Sequence, residues 1–176
     1  MNQIMNDAAA RLRVIVVMGV AGAGKTLVGS ALARALGWTF YDADDFHSPE
    51  NVAKMRQGIG LTDADRAPWL ANLRDTIDRV IRDGRHAVLA CSALKETYRQ
   101  TLTPDDAPNG TVRFVYLDVP PDVLRYRLEH RGHHFAPPEL LGSQLATLEP
   151  PRDAIRADGT LTPEEIVRVA RSALGV

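Results

Sequence analysis

The chain has 176 residues, of which 45% are hydrophobic and 24% are charged, so we expect one folded domain over residues 1–176 rather than a disordered protein. Its 21 basic and 22 acidic residues give a net charge of -1, which argues against a nucleic-acid partner but permits a local basic pocket for one small anion. The single cysteine, Cys91, excludes an internal disulfide and a cysteine-based zinc cluster.

Apolar runs in the sequence are short. The longest, residues 14–20, is far below the roughly 18 residues that span a bilayer. Ahead of that run, Asp7 is mixed with Arg11 and Arg13, which is not the charge pattern of a secretory signal. We therefore expect a cytoplasmic protein with no membrane partner.

The first part of the chain predicts a tail, a strand, a helix and a second strand. Residues 1–11 are small and polar and indicate a loose tail. The β-branched run over residues 12–18 does not alternate between apolar and polar residues, as a strand with one solvent-exposed face would. It therefore predicts a strand buried on both faces of a parallel sheet. Apolar residues then recur at helical spacing from Lys25 until Gly37 ends the helix. A short strand is predicted over residues 38–41.

The middle of the chain continues the alternation of helices and strands. A helix is predicted over residues 48–57, and a longer one is marked by apolar residues from Trp69 to its end near Gly84. Two further buried strands are predicted over residues 86–91 and 112–117.

Three proline pairs divide the last third of the chain, because proline is tolerated in the first turn of a helix and disrupts its interior. The predicted segments are helices over residues 121–131 and 138–148, a strand near residues 154–157, and a terminal helix after Thr162. Strand and helix thus alternate about five times, which predicts an α/β domain whose parallel sheet is covered by helices on both faces.

A glycine-rich loop between the first strand and the first helix is the strongest functional signal. It fits the pattern Gly-x-x-x-x-Gly-Lys-Ser/Thr, which binds the phosphates of a nucleoside triphosphate. Its small residues let several backbone N–H groups turn inward, and the helix adds the positive end of its dipole. We expect Lys25 to reach the β- and γ-phosphates and the Thr26 hydroxyl to ligate Mg²⁺. The loop consists of Gly19, Val20, Ala21, Gly22, Ala23, Gly24, Lys25 and Thr26.

Acidic residues end the second predicted strand. Asp42 and Asp44 are two positions apart, so they share a face if the strand geometry continues, and they face the phosphate loop if this strand neighbours the first. One carboxylate could then orient water bound to Mg²⁺ while the other accepts a hydrogen bond from the hydroxyl that receives the phosphate. The alternative is a solvated acidic turn.

Several stretches together resemble a gluconokinase of the small P-loop type, a relative of shikimate kinase and the nucleoside monophosphate kinases. The phosphate loop alone is common to many families, whereas its combination with Asp-Asp-Phe-His, Thr-Asp-x-Asp-Arg-x-Pro-Trp-Leu and Cys-Ser-Ala-Leu-Lys is far more specific. The resemblance spans roughly residues 14–151. Beyond the phosphate loop, the matching stretches are residues 42–47, 51–55, 58–70, 90–95, 98–99 and 143–149.

The resemblance implies a P-loop kinase fold, with a five-stranded parallel sheet, helices on both faces and a small helical lid over about residues 127–138. The implied reaction uses ATP and Mg²⁺ to phosphorylate the terminal hydroxyl of D-gluconate in line, giving 6-phosphogluconate. By analogy, Asp44 orients the attacking hydroxyl and Asp42 helps to hold the metal through water. The family also suggests a homodimer.

Gluconate carries one carboxylate and a row of hydroxyls, so its site needs a cation and several hydrogen-bonding partners. Arg66 is the first candidate, and its alternative is a surface ion pair with an aspartate of its own turn. His47 is the second, and its alternative is a packed or capping histidine. Ser92 and Lys95 follow the third strand at the same sheet edge and are further candidates. The alternative is that Ser92 caps a helix and that Lys95 is a surface lysine.

Arg127 and Arg131 lie four positions apart and therefore share one face of their predicted helix. In related kinases such a segment closes over the triphosphate, excludes water and supplies arginine to the developing charge. We therefore assign Arg127 to ATP and Arg131 to the phosphoryl group in the transition state, with two exposed arginines as the alternative. The nearby pair His133 and His134 has no carboxylate or cysteine at a suitable spacing, so no zinc site is predicted.

Two other functions are left open by the sequence. One is a P-loop kinase that acts on another small hydroxy acid. The other is a nucleotide-dependent switch protein without small-molecule transfer, which would show no ADP release in response to an acceptor. The acid pair, the Arg66 loop and the arginine-bearing lid favour a kinase.

Overall fold

A five-stranded parallel sheet forms the centre of the computed structural model, which describes residues 11–130 and 139–176. The strands are β1 (Val14–Met18), β2 (Thr39–Asp42), β3 (Ala87–Ala90), β4 (Val112–Asp118) and β5 (Ile155–Asp158). The helices are α1 (Lys25–Leu36), α2 (Pro49–Arg56), α3 (Asp63–Arg82), α4 (Glu96–Thr101), α5 (Pro121–Glu129), α6 (Glu139–Thr147) and α7 (Pro163–Leu174). The predicted α/β fold with an all-parallel sheet is confirmed.

The strand order is β2-β3-β1-β4-β5, so β1 lies at the centre of the sheet. Successive residues of a strand point to opposite faces, and the five residues of β1 are all buried. Ile15 and Val17 pack in one apolar cluster, which includes residues of α1, α5 and α7. Val14 and Val16 pack in the other, which includes residues of α3 and α4. Helices therefore cover both faces, which explains the continuous apolar run of the first strand.

One conditional expectation about the sheet is wrong, because β2 does not neighbour β1. β3 lies between them, with Val16 paired to Leu89 on one side and Tyr41 paired to Leu89 on the other. After β2 the chain crosses one face of the sheet through α3. It then returns as β3, which lies between β2 and β1. Local sequence patterns carry no information about which strand fills that position.

Two elements were not predicted from the sequence. A short 3₁₀ turn, Ala43–Phe46, directly follows β2, and α4 occupies Glu96–Thr101. The predicted start of α3 also lies six residues too late. Thr62 begins that helix with a capping box, in which its hydroxyl accepts from Asp65 N and the Asp65 carboxylate accepts from Thr62 N. The cap places Arg66 on the first turn of α3.

Two predicted segments fall largely or partly outside the described residues. The tail over residues 1–11 is described only at Arg11, and the lid over about residues 127–138 is described only as far as His130. In the described ranges, the helices are either too short or too polar to cross a bilayer.

Candidate active site

The phosphate loop connects β1 to α1 through a backbone path that requires glycine. Gly22 has φ of 84°, and a Cβ there would lie 3.2 Å from the carbonyl oxygen of Leu124 in α5. Gly24 has φ of 96° and is the N-cap of α1. Its side of the loop is open, since a Cβ there would meet nothing within 4 Å. The loop is thus packed against α5 on one side and open at the start of α1.

The N-terminus of α1 is suited to an anion. Gly24 offers no side-chain cap, and the first turn of this helix contains no acidic residue. Lys25 is the first residue of the helix, and its ammonium donates to the carbonyl oxygen of Val20 at 3.1 Å. A positive charge and the free end of a helix dipole therefore meet at the same loop.

A hydrogen bond joins this helix to the acid that ends β2. Thr26 Oγ1 donates to Asp42 Oδ2 at 2.7 Å, and the backbone N–H of Asp44 donates to Asp42 Oδ1 at 3.1 Å. Asp42 and Asp44 do not share a strand face, because the chain turns into the 3₁₀ segment at this point. Asp42 instead holds Thr26 and caps the turn, and the turn presents the exposed Asp44 to the cleft beside the phosphate loop.

Hydroxyl and carboxylate oxygens are the protein ligands that suit Mg²⁺, which usually keeps several waters and binds phosphate oxygens as well. Thr26 and Asp42 supply one of each at the phosphate loop. No cluster of three or more metal-ligating His, Cys, Asp or Glu side chains occurs in residues 11–130 and 139–176. The oxygen pair therefore fits a Mg²⁺ ion that arrives with a nucleotide and does not form an all-protein metal cage.

An open cleft of about 450 Å³ runs from the phosphate loop to the first turn of α3. It brings together side chains from segments that are far apart in the sequence, at the carboxyl ends of the parallel strands. Polar and charged residues on its wall are Lys25, Thr26, Ser30, Asp44, His47, Arg66, Ser92, Ser143 and Gln144. Most of the polar residues predicted from the sequence thus border one space.

His47 is both packed against a neighbouring ring and part of the cleft wall. Its ring stacks on Trp69 with centroids 4.4 Å apart and planes 10° apart, and the residue also lines the cleft. Burial and the nearby Arg66 charge lower the pKa of His47 to about 4. The imidazole is therefore neutral near pH 7 and can contribute hydrogen bonds but not a positive charge.

Arg66 provides the cation at the α3 end of the cleft. Its Nη1 donates to the Tyr98 hydroxyl at 3.2 Å and lies 3.8 Å from Asp63 Oδ1. The Tyr98 hydroxyl in turn donates to Asp63. The expected alternative, an ion pair with an aspartate of the same turn, is therefore present, and Arg66 lines the cleft as well. The side chain is only 18% exposed, so its guanidinium is held in one place.

Lys95 and Ser92 have different positions although both follow β3. Ser92 lines the cleft. Lys95 Nζ instead donates to both carboxylate oxygens of Asp63, at 2.9 and 2.7 Å, and Lys95 is absent from the described lining of the cleft. Hydrogen bonds from Lys95 and Tyr98 lower the pKa of Asp63. Lys95 thus supports the Asp63–Tyr98–Arg66 network from its outer side.

Arg127 contacts a different part of the protein. Its Nη2 donates to the carbonyl oxygen of Gly159 at 2.8 Å, which ties α5 to the turn after β5. Gly159 is closely packed, since a Cβ there would lie 2.3 Å from Val119 Cγ2. The second predicted lid arginine, Arg131, lies outside the described residues.

Gln144 is a polar cleft residue to which the sequence analysis gave no role. Its Oε1 accepts a hydrogen bond of 2.7 Å from the backbone N–H of Ala21. Its stretch, residues 143–149, contributed to the family resemblance, which was the one signal that could have identified it. A contact between residues 123 positions apart could not be predicted from the spacing of the chain.

Cys91, the one cysteine in the sequence, is a packed core residue. It is 1% exposed, and burial raises the pKa of its thiol to about 12. A protonated and inaccessible thiol is not a nucleophile.

Known proteins of one family resemble this chain over most of its length. A family model described as an AAA domain matches residues 14–151. The chain is 49% identical over 163 residues to a gluconokinase of Gluconobacter oxydans, covering 89% of this chain and 90% of that protein. It is 42% identical over 167 residues to a gluconokinase of Arabidopsis thaliana, covering 88% of each.

Solved structures give the same result. A gluconokinase from Sinorhizobium meliloti superimposes with a TM-score of 0.81 at 43% identity, covering 93% of this chain and 91% of that one. A shikimate kinase from Aquifex aeolicus, at 20% identity and a TM-score of 0.58, shares the fold. The chain has the P-loop kinase fold and belongs to the gluconokinase family.

Proposed function

We propose that the protein transfers the γ-phosphoryl group of ATP to the terminal hydroxyl of D-gluconate, giving 6-phosphogluconate. The observation that carries this proposal is the single cleft in which the phosphate loop, Asp44 and Arg66 face one another. A phosphoryl donor, an acceptor hydroxyl and an acceptor carboxylate each have a complementary group there. The gluconokinase relatives support the choice of acid.

At the donor end of the cleft, the chain supplies positive charge and backbone donors. Lys25 and the N-terminus of α1 neutralise phosphate oxygens, and they do so more strongly as charge builds up during transfer. Thr26 and Asp42 would hold Mg²⁺, the latter through water. When bound, Mg²⁺ neutralises charge on the phosphate oxygens. Arg127 fixes the turn that follows β5, and we assign it to the ATP side of the site through that turn.

At the acceptor end, four side chains orient the sugar acid. Asp44 accepts a hydrogen bond from the attacking hydroxyl and directs its lone pair toward the phosphorus. Arg66 pairs with the carboxylate, and neutral His47 and Ser92 hydrogen-bond to hydroxyls along the chain. Lys95 acts indirectly, by holding Asp63. Arg131 is assigned to the transferring phosphoryl group from the sequence alone.

An acceptor screen tests the proposal. Purified protein is assayed for ADP release with ATP and Mg²⁺ and with gluconate, shikimate, glycerate or a nucleoside monophosphate as acceptor. We expect gluconate to give the largest kcat/KM. Fast turnover of another acid, with gluconate inert, would show that the other acid is the substrate. ADP release that no acceptor stimulates, together with nucleotide-dependent partner binding, would favour the switch protein.

Several expectations about the setting of the protein accompany this proposal. We propose a cytoplasmic enzyme with a small-molecule substrate and neither a nucleic-acid nor a membrane partner. A homodimer is suggested by the family, and the molar mass in solution tests it.

A further inference from the structure

Gln144 of α6 is oriented by its bond to the phosphate loop. A backbone N–H can only donate, so the atom that accepts from Ala21 must be the carboxamide oxygen. This settles which end of the amide is which, a choice that otherwise depends on the surrounding hydrogen bonds. The Nε2 group, with two N–H donors, is therefore the end that points away from Ala21.

The two ends of this side chain have different environments. Ala21 is buried, whereas Gln144 is half-buried and lines the same cleft as Lys25 and Asp44. Within residues 11–130 and 139–176, Nε2 makes no hydrogen bond to the protein. The donors of Nε2 are thus available in the cleft beside the loop that binds phosphate.

The helix that carries Gln144 is anchored on both sides. Leu140 and Leu141 are 5% and 4% exposed and fix its first turn in the core. After the helix, Glu149 N donates to the carbonyl oxygen of Leu94 at 2.9 Å. The Glu149 carboxylate accepts from Glu96 N at 2.7 Å, at the start of α4. Gln144 is therefore presented from a rigid element, which a group acting on a transition state requires.

We propose that Gln144 is a further catalytic residue, whose Oε1 holds the phosphate loop at Ala21 while Nε2 donates a hydrogen bond to an oxygen of the transferring phosphoryl group. A neutral amide donor stabilises developing negative charge without giving up a proton. Lys25 contributes a point charge from the loop itself, and Gln144 adds a directed donor from a separate helix. This inference rests on the proposed phosphoryl transfer.

Two substitutions separate the two ends of the side chain. Gln144→Met has a similar length and removes both the acceptor and the donors. Gln144→Glu keeps an acceptor for Ala21 N–H and removes the donors. Thr147→Ala is the control on the same helix, since the Thr147 hydroxyl donates to the Ser143 carbonyl oxygen of its own helix and takes no part in the cleft. Thermal unfolding shows whether each variant is folded.

We expect kcat to fall by about 100-fold in Gln144→Met, the loss seen when one transition-state donor is removed. Gln144→Glu should lose at least as much activity while unfolding at the temperature of the unmodified protein. Thr147→Ala should keep its kcat. A normal kcat in either Gln144 variant would overturn the proposal, as would a rise in KM for ATP with kcat unchanged.

A binding measurement separates catalysis from loop support without needing turnover. Calorimetry compares ADP–Mg²⁺ alone with ADP–Mg²⁺ and aluminium fluoride, which mimics the transferring phosphoryl group. We expect Gln144→Met to weaken the fluoride complex at least 10-fold more than the ADP complex. Equal weakening would mean that Gln144 only supports the loop. If the unmodified protein fails to phosphorylate gluconate, the proposed substrate falls, and this comparison still decides the role of Gln144.

Discussion

The Thr26 hydroxyl donates to the Asp42 carboxylate at 2.7 Å, and this bond joins the phosphate-loop helix to the last residue of β2. Thr26 lies in the helix that follows β1, and Asp42 is the last residue of β2. These two strands are not neighbours, since β3 separates β1 from β2. The helix α1 bridges that gap because it packs across the face of the sheet, with Gly29 close to Phe40 of β2. The proposed metal ligand and its supporting acid are thereby held together.

Loss of this hydroxyl should change the Mg²⁺ requirement. In Thr26→Val the shape is retained but the donor to Asp42 and the metal-ligating oxygen are lost, so we expect the Mg²⁺ concentration for half-maximal rate to rise about 10-fold or more. Thr26→Ser keeps the oxygen and should remain close to the unmodified protein. A titration of initial rate against Mg²⁺ at saturating ATP measures both. Equal Mg²⁺ curves for the Val and Ser variants would show that the Thr26 oxygen does not hold the metal.

The acidic turn after β2 allows a matched comparison of neighbouring residues. Asp44 lines the cleft, while the adjacent Asp45 is exposed and absent from its described lining. We expect Asp44→Asn to lower kcat by roughly 100-fold or more, because an amide does not orient the attacking hydroxyl as a carboxylate does. Asp45→Asn should have little effect on kcat. Steady-state rates with gluconate varied check this, and a near-normal rate for Asp44→Asn would remove that residue from the chemical step.

The Tyr98 hydroxyl should influence substrate affinity from outside the cleft. It lies between Arg66 and Asp63, so Tyr98→Phe removes one of the contacts that hold the guanidinium. We expect KM for gluconate to rise about 10-fold, with KM for ATP unchanged, because the disturbance is confined to the carboxylate end. Tyr126→Phe is the control, since Tyr126 is 63% exposed and stacks on His130. If KM for ATP rose equally, the result would show that Arg66 does not act specifically on the carboxylate of gluconate.

The neutral state of His47 predicts a loss of stability in acid. The pKa of His47 is lowered from 6.5 to about 4 in the folded protein, so the unfolded chain binds this proton first as the pH falls. The contribution to the free energy of unfolding is therefore fully present above pH 6.5 and falls as the pH drops toward 4. The slope is at most about 1.4 kcal/mol per pH unit, and partial exposure makes it smaller.

A comparison with His47→Gln isolates this proton from the other titrating groups, including His86, whose pKa is also lowered. Urea unfolding at several pH values should give a shallower acid slope for His47→Gln than for the unmodified protein. Identical slopes between pH 6.5 and 4 would show that His47 titrates normally in the folded state.

Local sequence determined most of the helices and strands and the phosphate loop of this protein. The period of apolar residues located β1 and α1, and the loop motif between them is contiguous, so its chemistry needs no distant partner to be recognised. The helix after β3 was missed because α4 is only six residues long and shows no clear apolar period. The family resemblance added the substrate class, which no local pattern specifies.

Tertiary structure decided which charged residues share the cleft. Arg66 was the first candidate for a substrate ligand in the sequence and Lys95 a further one, but the packing of α3 against α4 turns Lys95 onto Asp63 and leaves Arg66 on the cleft wall. The position of β3 between β2 and β1, and the bond from Ala21 to Gln144, likewise join parts of the chain that are far apart. Such contacts depend on the free energy of packing the whole sheet and its helices, and for that reason no single stretch of sequence contains them.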